Sequence, residues 1–438
     1  MGTGKRFWRI VSFLVAVGCV ADAGRAFGQS ASIATPQQED VIFTSDVPAK
    51  QSQVGARPHA DFSPIGLELG SMSIHAAVEN DTQYNDNIFA DQTHTADIID
   101  DMKPRLDLAE NAFDTAMSLS ATADIGRYMI FHSENYEDYS ITGTTSRDLN
   151  AESSIAVRGG TSRAHIPRTA LNSPGRAYPV SYVQDNFVTI VPQYSTSPFI
   201  GTATIRGDYY QNQDVAGTDN SYLNYYALNV SNRFGYETGG GWTYFFQPSY
   251  EIDSYQHRVD LSGANHDKQV YQGLWGIQYD ATADIYLELG LGYFYDAYFA
   301  KTQQNVGGLA ELGSFVWNID PLFSLTGSLT QTSQDLQGTL AAGIPQGLAV
   351  TNTGSLHLDY EAAYNVIAFV QAGLSQTDIT GQGSNVTQES FPFSLGVSWY
   401  ISEYLRAGAQ YTFSATSASV ATLNYDTNQI ILTLVAQM

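Results

Sequence analysis

The sequence predicts an all-β fold, a transmembrane antiparallel up-and-down β-barrel of about 18 strands, with 16 as the alternative count. Three observations carry this expectation. Apolar and polar residues alternate with period two over windows of about ten residues. The joins between windows are short and long by turns, and an export leader is followed by no apolar stretch of helix-spanning length.

Residues 391–413 show the repeating unit. Phe391, Phe393, Leu395, Val397 and Trp399 alternate with Pro392, Ser394, Gly396, Ser398 and Tyr400, so one face is apolar and the other small or polar. After Ser402 and Glu403 the pattern resumes, with Leu405, Ala407, Ala409, Tyr411 and Phe413 set against Arg406, Gly408, Gln410 and Thr412. A tilted strand needs about ten residues to cross a bilayer, whereas strands in soluble sandwiches usually run about five or six.

Taken in order, the chain begins with Lys5, Arg6 and Arg9, an apolar run over residues 10–20, and Ala21-Asp22-Ala23 as a cleavage signal. Residues 1–23 therefore read as a secretory signal peptide. The single cysteine, Cys19, falls inside it, and Ala16-Val17-Gly18-Cys19 offers a rival reading in which that cysteine is acylated. Residues 24–63, rich in Gln, Pro, Ser and Ala and without a sustained period, read as a flexible periplasmic segment. The barrel is expected over 64–438. Its tight joins fall at 280–284, 318–322, 362–365 and 401–404, and longer polar stretches at 260–268, 299–306, 335–350, 380–388 and 415–426. Short turns at one end and long loops at the other are the habit of an outer-membrane barrel.

Composition narrows the function. The formal charge is −24, and removing a leader that carries Lys5, Arg6, Arg9 and Asp22 makes it about −26. Such a surface repels nucleic acid. The 28 Tyr, 21 Phe and 38 Gly fit lipid-facing and lumen-facing positions in alternation.

Glu251, Glu288, His357, Asp359 and Arg406 fall on the polar face of their windows and are the candidate pore-lining charges, with Tyr286 beside them. A charge on the lipid face costs about 2 to 4 kcal/mol at midplane for Arg or Lys and less for Asp or Glu, so inward placement is preferred. There they would set the field of the pore, or simply be solvated wall. Tyr286 and Tyr400 could stack sugar rings or fill gaps. Asp100, Asp101, Asn85, Asp86 and Asn87 could offer oxygen ligands to calcium, but their spacing is that of ordinary turns, and no metal is assigned. No cofactor-binding or catalytic motif is present, and His132, His257 and His266, in expected outer loops, have no partner that the sequence identifies. No catalytic residue or cofactor is assigned.

Residues 64–71 (PIGLELGS) and then Tyr84-Asn85-Asp86-Asn87-Ile88-Phe89 resemble the opening of the Putative beta-barrel porin 2 family of Gram-negative outer membranes. Met102-Lys103-Pro104, Ile125-Gly126-Arg127-Tyr128 and His165-Ile166-Pro167-Arg168 extend the likeness, which runs from about Pro64 to the end. The resemblance implies a cell outer-membrane barrel, sometimes associated with exopolysaccharide production. The chain ends on Met438, where outer-membrane strands usually end on an aromatic residue read by the insertion machinery. The function expected is a porin-like channel for passive diffusion of small solutes, preferring cations. The alternative is an exit duct for exopolysaccharide that works with periplasmic and inner-membrane export partners through residues 24–63.

Overall fold

A computed structural model of the chain describes residues 53–438, apart from 58, 113, 174, 215–219, 258, 260–264, 281, 283, 302, 338–346 and 382–384. The expected signal peptide, Cys19 and most of the 24–63 segment lie outside the described residues.

Period-two patterning becomes strand throughout. A short β1 (Leu67–Leu69) precedes β2 (Met72–Asn85), β3 (Asp97–Ala112), β4 (Thr115–Tyr128), β5 (Tyr136–Asn150), β6 (Ser153–His165), β7 (Tyr182–Thr196), β8 (Phe199–Asn212) and β9 (Tyr225–Gly239). The second half comprises β10 (Trp242–Tyr255), β11 (Lys268–Tyr279), β12 (Ile285–Tyr298), β13 (Val306–Asp320), β14 (Phe323–Leu336), β15 (Gly347–Ala363), β16 (Val366–Gly381), β17 (Asn385–Ser402), β18 (Leu405–Ala418) and β19 (Tyr425–Gln437). Each of β2 to β19 pairs antiparallel with the next, and β19 returns to β2, so eighteen strands close a barrel. At the seam, Gln437 pairs with Ala77 and the Met438 N–H donates to the Ala76 carbonyl at 2.9 Å. Beyond that point β1 folds back to cover the remaining edge of β2.

The tight joins fall where the pattern places them, between β11 and β12, β13 and β14, β15 and β16, and β17 and β18. At the β9–β10 join Gly239, Gly240 and Gly241 all take positive φ, which a side chain would resist. The expected loops 335–350, 380–388 and 415–426 are shorter than their windows, because strands continue through Leu336, from Gly347, through Gly381, from Asn385 and through Ala418. Polar residues hide this extension.

Burial alternates as the pattern requires. In β19, Ile430, Leu432 and Leu434 are exposed on the outside while Gln429, Ile431, Thr433 and Val435 are buried within. Outward rings pair across strands near both ends of the barrel, Trp242 with Tyr279 and Phe323 with Tyr360 at the short-turn end, Tyr209 with Tyr226 at the loop end. Those are the positions of headgroup girdles.

Three pieces of chain occupy the interior. The β6–β7 connection, residues 166–181, reaches the opposite side of the ring, where Leu171 packs on buried Leu336, Ala349, Ile379 and Val386 near the loop ends of β14 to β17. The end of β14 is itself inside the barrel: Gln337 Nε2 donates to the Tyr255 hydroxyl of β10 at 2.8 Å. At the short-turn mouth, residues 54–57 and 59–62 are docked. The Val54 N–H donates to Ser324 Oγ at 2.8 Å and Val54 is fully buried. Arg57 reaches the Pro321 carbonyl and Asn318, and the rings of His59 and Phe62 lie against Tyr364 and Tyr400.

Candidate functional site

The inner faces of β2 to β4 are built from short polar residues at alternate positions, Asp81, Gln83 and Asn85, then Asp101 and Lys103, then Asp124. With Tyr136 and His165 they surround a recess of about 110 Å³, roofed by the start of the 166–181 loop. That volume holds a few waters or one small polar group. Arg168 organises the roof. Its Nε donates to Glu134 Oε2 at 2.7 Å, Nη2 to Glu134 Oε1 at 2.9 Å, and Nη1 to the Gly175 carbonyl at 2.7 Å. Both charged side chains are under a tenth exposed. Tyr136 stacks on His165 with centroids 3.8 Å apart and donates to Asp101 at 2.9 Å, while His165 Nδ1 lies 2.7 Å from Asp138. Gly126 makes this possible, because a Cβ there would sit 2.2 Å from the Tyr136 ring.

A second latch holds the loop from outside. Arg176 donates to Asp91 at 3.0 Å and lies over the Phe89 ring. Partial burial pushes the Asp91 carboxyl up, but bonds from the Thr93 N–H and Arg176 outweigh it and hold it below the ordinary value.

The motif residues at 84–89, 125–128 and 165–168 thus meet at one place, although they are far apart in the chain. In the sequence they carry the family likeness, and their spacing along the chain does not mark a site. Mutual proximity was the missing signal, and only the strand register supplies it.

The candidate pore residues face inward but are spread around the wall. Glu251 accepts from Asn229 Nδ2 at 3.0 Å. Glu288 takes Arg233 at 2.7 Å and the Tyr286 hydroxyl at 2.7 Å, and Tyr286 is nearly inaccessible. His357 Nε2 lies 2.8 Å from Asp359, whose carboxylate also accepts the Gly55 N–H at 3.3 Å. Arg406 stands 3.7 Å from Glu79 and over the Tyr400 ring. Tyr286 is sealed by its neighbours and Tyr400 is covered by His59 and Phe62, so neither presents the open ring face that sugar stacking needs.

Three basic groups on this wall are each bracketed by two acids: Lys103 by Glu79 and Asp81, Arg206 by Asp185 and Asp208, Lys268 by Asp253 and Asp296. Each trio carries net negative charge when ionised. The oxygen-rich turn residues are occupied otherwise. Asp86 accepts twice from Asn428, and Asn87 Nδ2 donates to the carbonyls of Asp91 and Asp426. Asp100 bonds Asn80 on the outer face while Asp101 points inward to Tyr136, so the two cannot share an ion. Of the three histidines, His132 Nδ1 contacts the Tyr128 carbonyl, His257 lies 3.4 Å from Ser221, and His266 Nδ1 is 3.2 Å from Asp335.

A closed eighteen-strand barrel with an apolar belt outside and charge trios inside has the build of a porin-like protein of the outer membrane. The sequence matches the model of the Putative beta-barrel porin 2 family over residues 59–438, and the chain belongs to that family. Comparison with curated proteins returns no match. Among solved structures it is similar to OccK1 (OpdK) of Pseudomonas aeruginosa, at 11% identity and a TM-score of 0.49, covering 84% of this chain and 99% of that one. OpdK solved with vanillate gives 10% identity and a TM-score of 0.48 over 83% and 99%. The siderophore receptor PirA from Acinetobacter baumannii gives 8% and 0.44 over 83% and 80%.

Proposed function

We propose that the chain is a passive, non-catalytic channel for small solutes that prefers cations. The acid-bracketed trios on the inner wall are the observation that carries the preference. They place excess negative charge in the wall around the path, where low-dielectric surroundings strengthen its field. Glu251, Glu288, Asp359 and His357 belong to that wall, with Arg406 as a local counter-charge. The 166–181 loop and the inward end of β14 set the width, so solutes are small. Its surroundings are outer-membrane lipid and, during assembly, the insertion machinery. A polymer duct through residues 24–63 is less well supported, because the loop spans the interior and residues 54–57 and 59–62 are engaged at the mouth.

Single-channel recording of the refolded barrel in a planar bilayer under a salt gradient tests this. The expected result is stable openings with a reversal potential on the cation side, shifting toward zero in Asp208→Asn/Asp253→Asn. An anion-directed potential overturns the preference, and silence from folded protein overturns the channel.

A further inference from the structure

Among the described strands, the wall of the barrel parts between β13 and β14. The β13–β14 ladder runs from Asp320 and Phe323 to Leu312 and Thr330 and ends there. Yet β13 continues beside β12 to Val306, and β14 continues beside β15 to Leu336. Residues 306–311 and 331–336 therefore form two diverging edges in the loop-end half.

The β14 edge goes inward. Ser333 lies beside Asp296 of the inner face of β12, Asp335 meets His266, and Gln337 reaches Tyr255 on β10. Val350 of β15 follows and packs on Leu274, Phe294 and Ala310. These three, with Val306 and Leu312, make an apolar patch on the inner side of the parted strands, on a wall otherwise set with charge trios.

The β13 edge stays in the belt. Leu309 is 66% exposed, among the highest values of the large apolar side chains. Register places Leu309 opposite Tyr293 and Glu311 opposite Leu291, so Glu311 shares the outward face with three apolar neighbours. Bare strand edges and carboxylates do not persist against hydrocarbon unless water or a cavity serves them. Both features sit at the same seam.

We propose that the β13–β14 seam is a lateral passage between the loop-end interior and the lipid leaflet for uncharged apolar solutes, small aromatic or alkyl compounds, with the bent end of β14 and β15 as its movable wall. Such a solute gains nothing from the charged axial path but is favoured on the Leu274, Phe294 and Ala310 patch. Its route into the leaflet is distinct from the axial ion path, and the bent end of β14 borders both.

The test uses the full chain in the outer membrane of a Gram-negative host and N-phenylnaphthylamine, an uncharged aromatic dye that brightens on entering a bilayer. Dye entry is expected to rise several-fold over cells lacking the chain, and to fall back in Ala310→Asp or Val350→Asn, with KCl conductance of the purified variants unchanged. A Leu309→Cys/Ser333→Cys pair is expected to resist mild oxidation, because one position faces lipid and the other the inner wall. Rapid disulfide formation would show a zipped seam and overturn the proposal. So would dye entry that is indifferent to the chain or to both conductance-competent variants.

Discussion

The two halves of the barrel fill their interiors by different means. Along β2 to β6 the wall is intact and a separate loop is laid over it, leaving a polar recess beneath Arg168. Along β10 to β15 the covering layer is the wall's own strand, bent inward past Thr330, and the interface joins an apolar patch to polar contacts such as Asp335 with His266. A loop can roof a wall without disturbing the ladder. A strand that leaves its neighbour cannot, and the cost is a free edge.

Substitutions can separate these two designs. The largest effect is expected at the roof. Glu134→Ala strands a buried guanidinium, which should destabilise the chain by about 3–5 kcal/mol in urea unfolding of the refolded barrel. It should also widen the channel, seen as higher conductance. Leu336→Ala, at the contact between the two layers, should cost about 2–5 kcal/mol by opening a cavity. The two losses should add in the double variant; a strongly non-additive sum would mean that the layers act as one unit, and the comparison would fail. Deleting residues 24–62 should raise conductance at the short-turn mouth while leaving the unfolding midpoint nearly unchanged.

The smallest effect belongs to Arg176→Ala. The pair it removes is partly exposed, so at most about 1 kcal/mol is expected. Its pH signature is specific. Because Asp91 is held below the ordinary value of about 3.9, the latch contributes fully above that value and is lost as pH falls through the depressed one. Conductance of the parent chain should therefore change in acid below about pH 4, and the Arg176→Ala variant should lack that change.

Much of this architecture is legible in the residues. Phe391 to Phe413 alternate because lipid and lumen alternate, and the tight joins mark one rim. The bend of β14 is less visible, though a trace exists. Gln331, Ser333 and Asp335 occupy the positions that face lipid lower in the strand, where Leu325 and Leu329 stand. Polar residues on an outward register signal a strand that has left the belt. The recess was not legible, because Asp81, Asp124 and Arg168 are joined only by register and by a loop conformation set by distant contacts. Tyr286 and Tyr400 show the same limit from the other side: alternation gives their face, but not what covers them.

The docked segment at the short-turn mouth bears on the order of assembly. Val54 and Gly55 take their partners from Ser324 and Asp359, 270 and 304 residues away. Contacts so distant in sequence are costly to close early and are expected to form once Ser324 and Asp359 have been placed in the ring. The earliest described residues to be synthesised are thus expected to settle late, their docking at the mouth depending on β14 and β15 being in place.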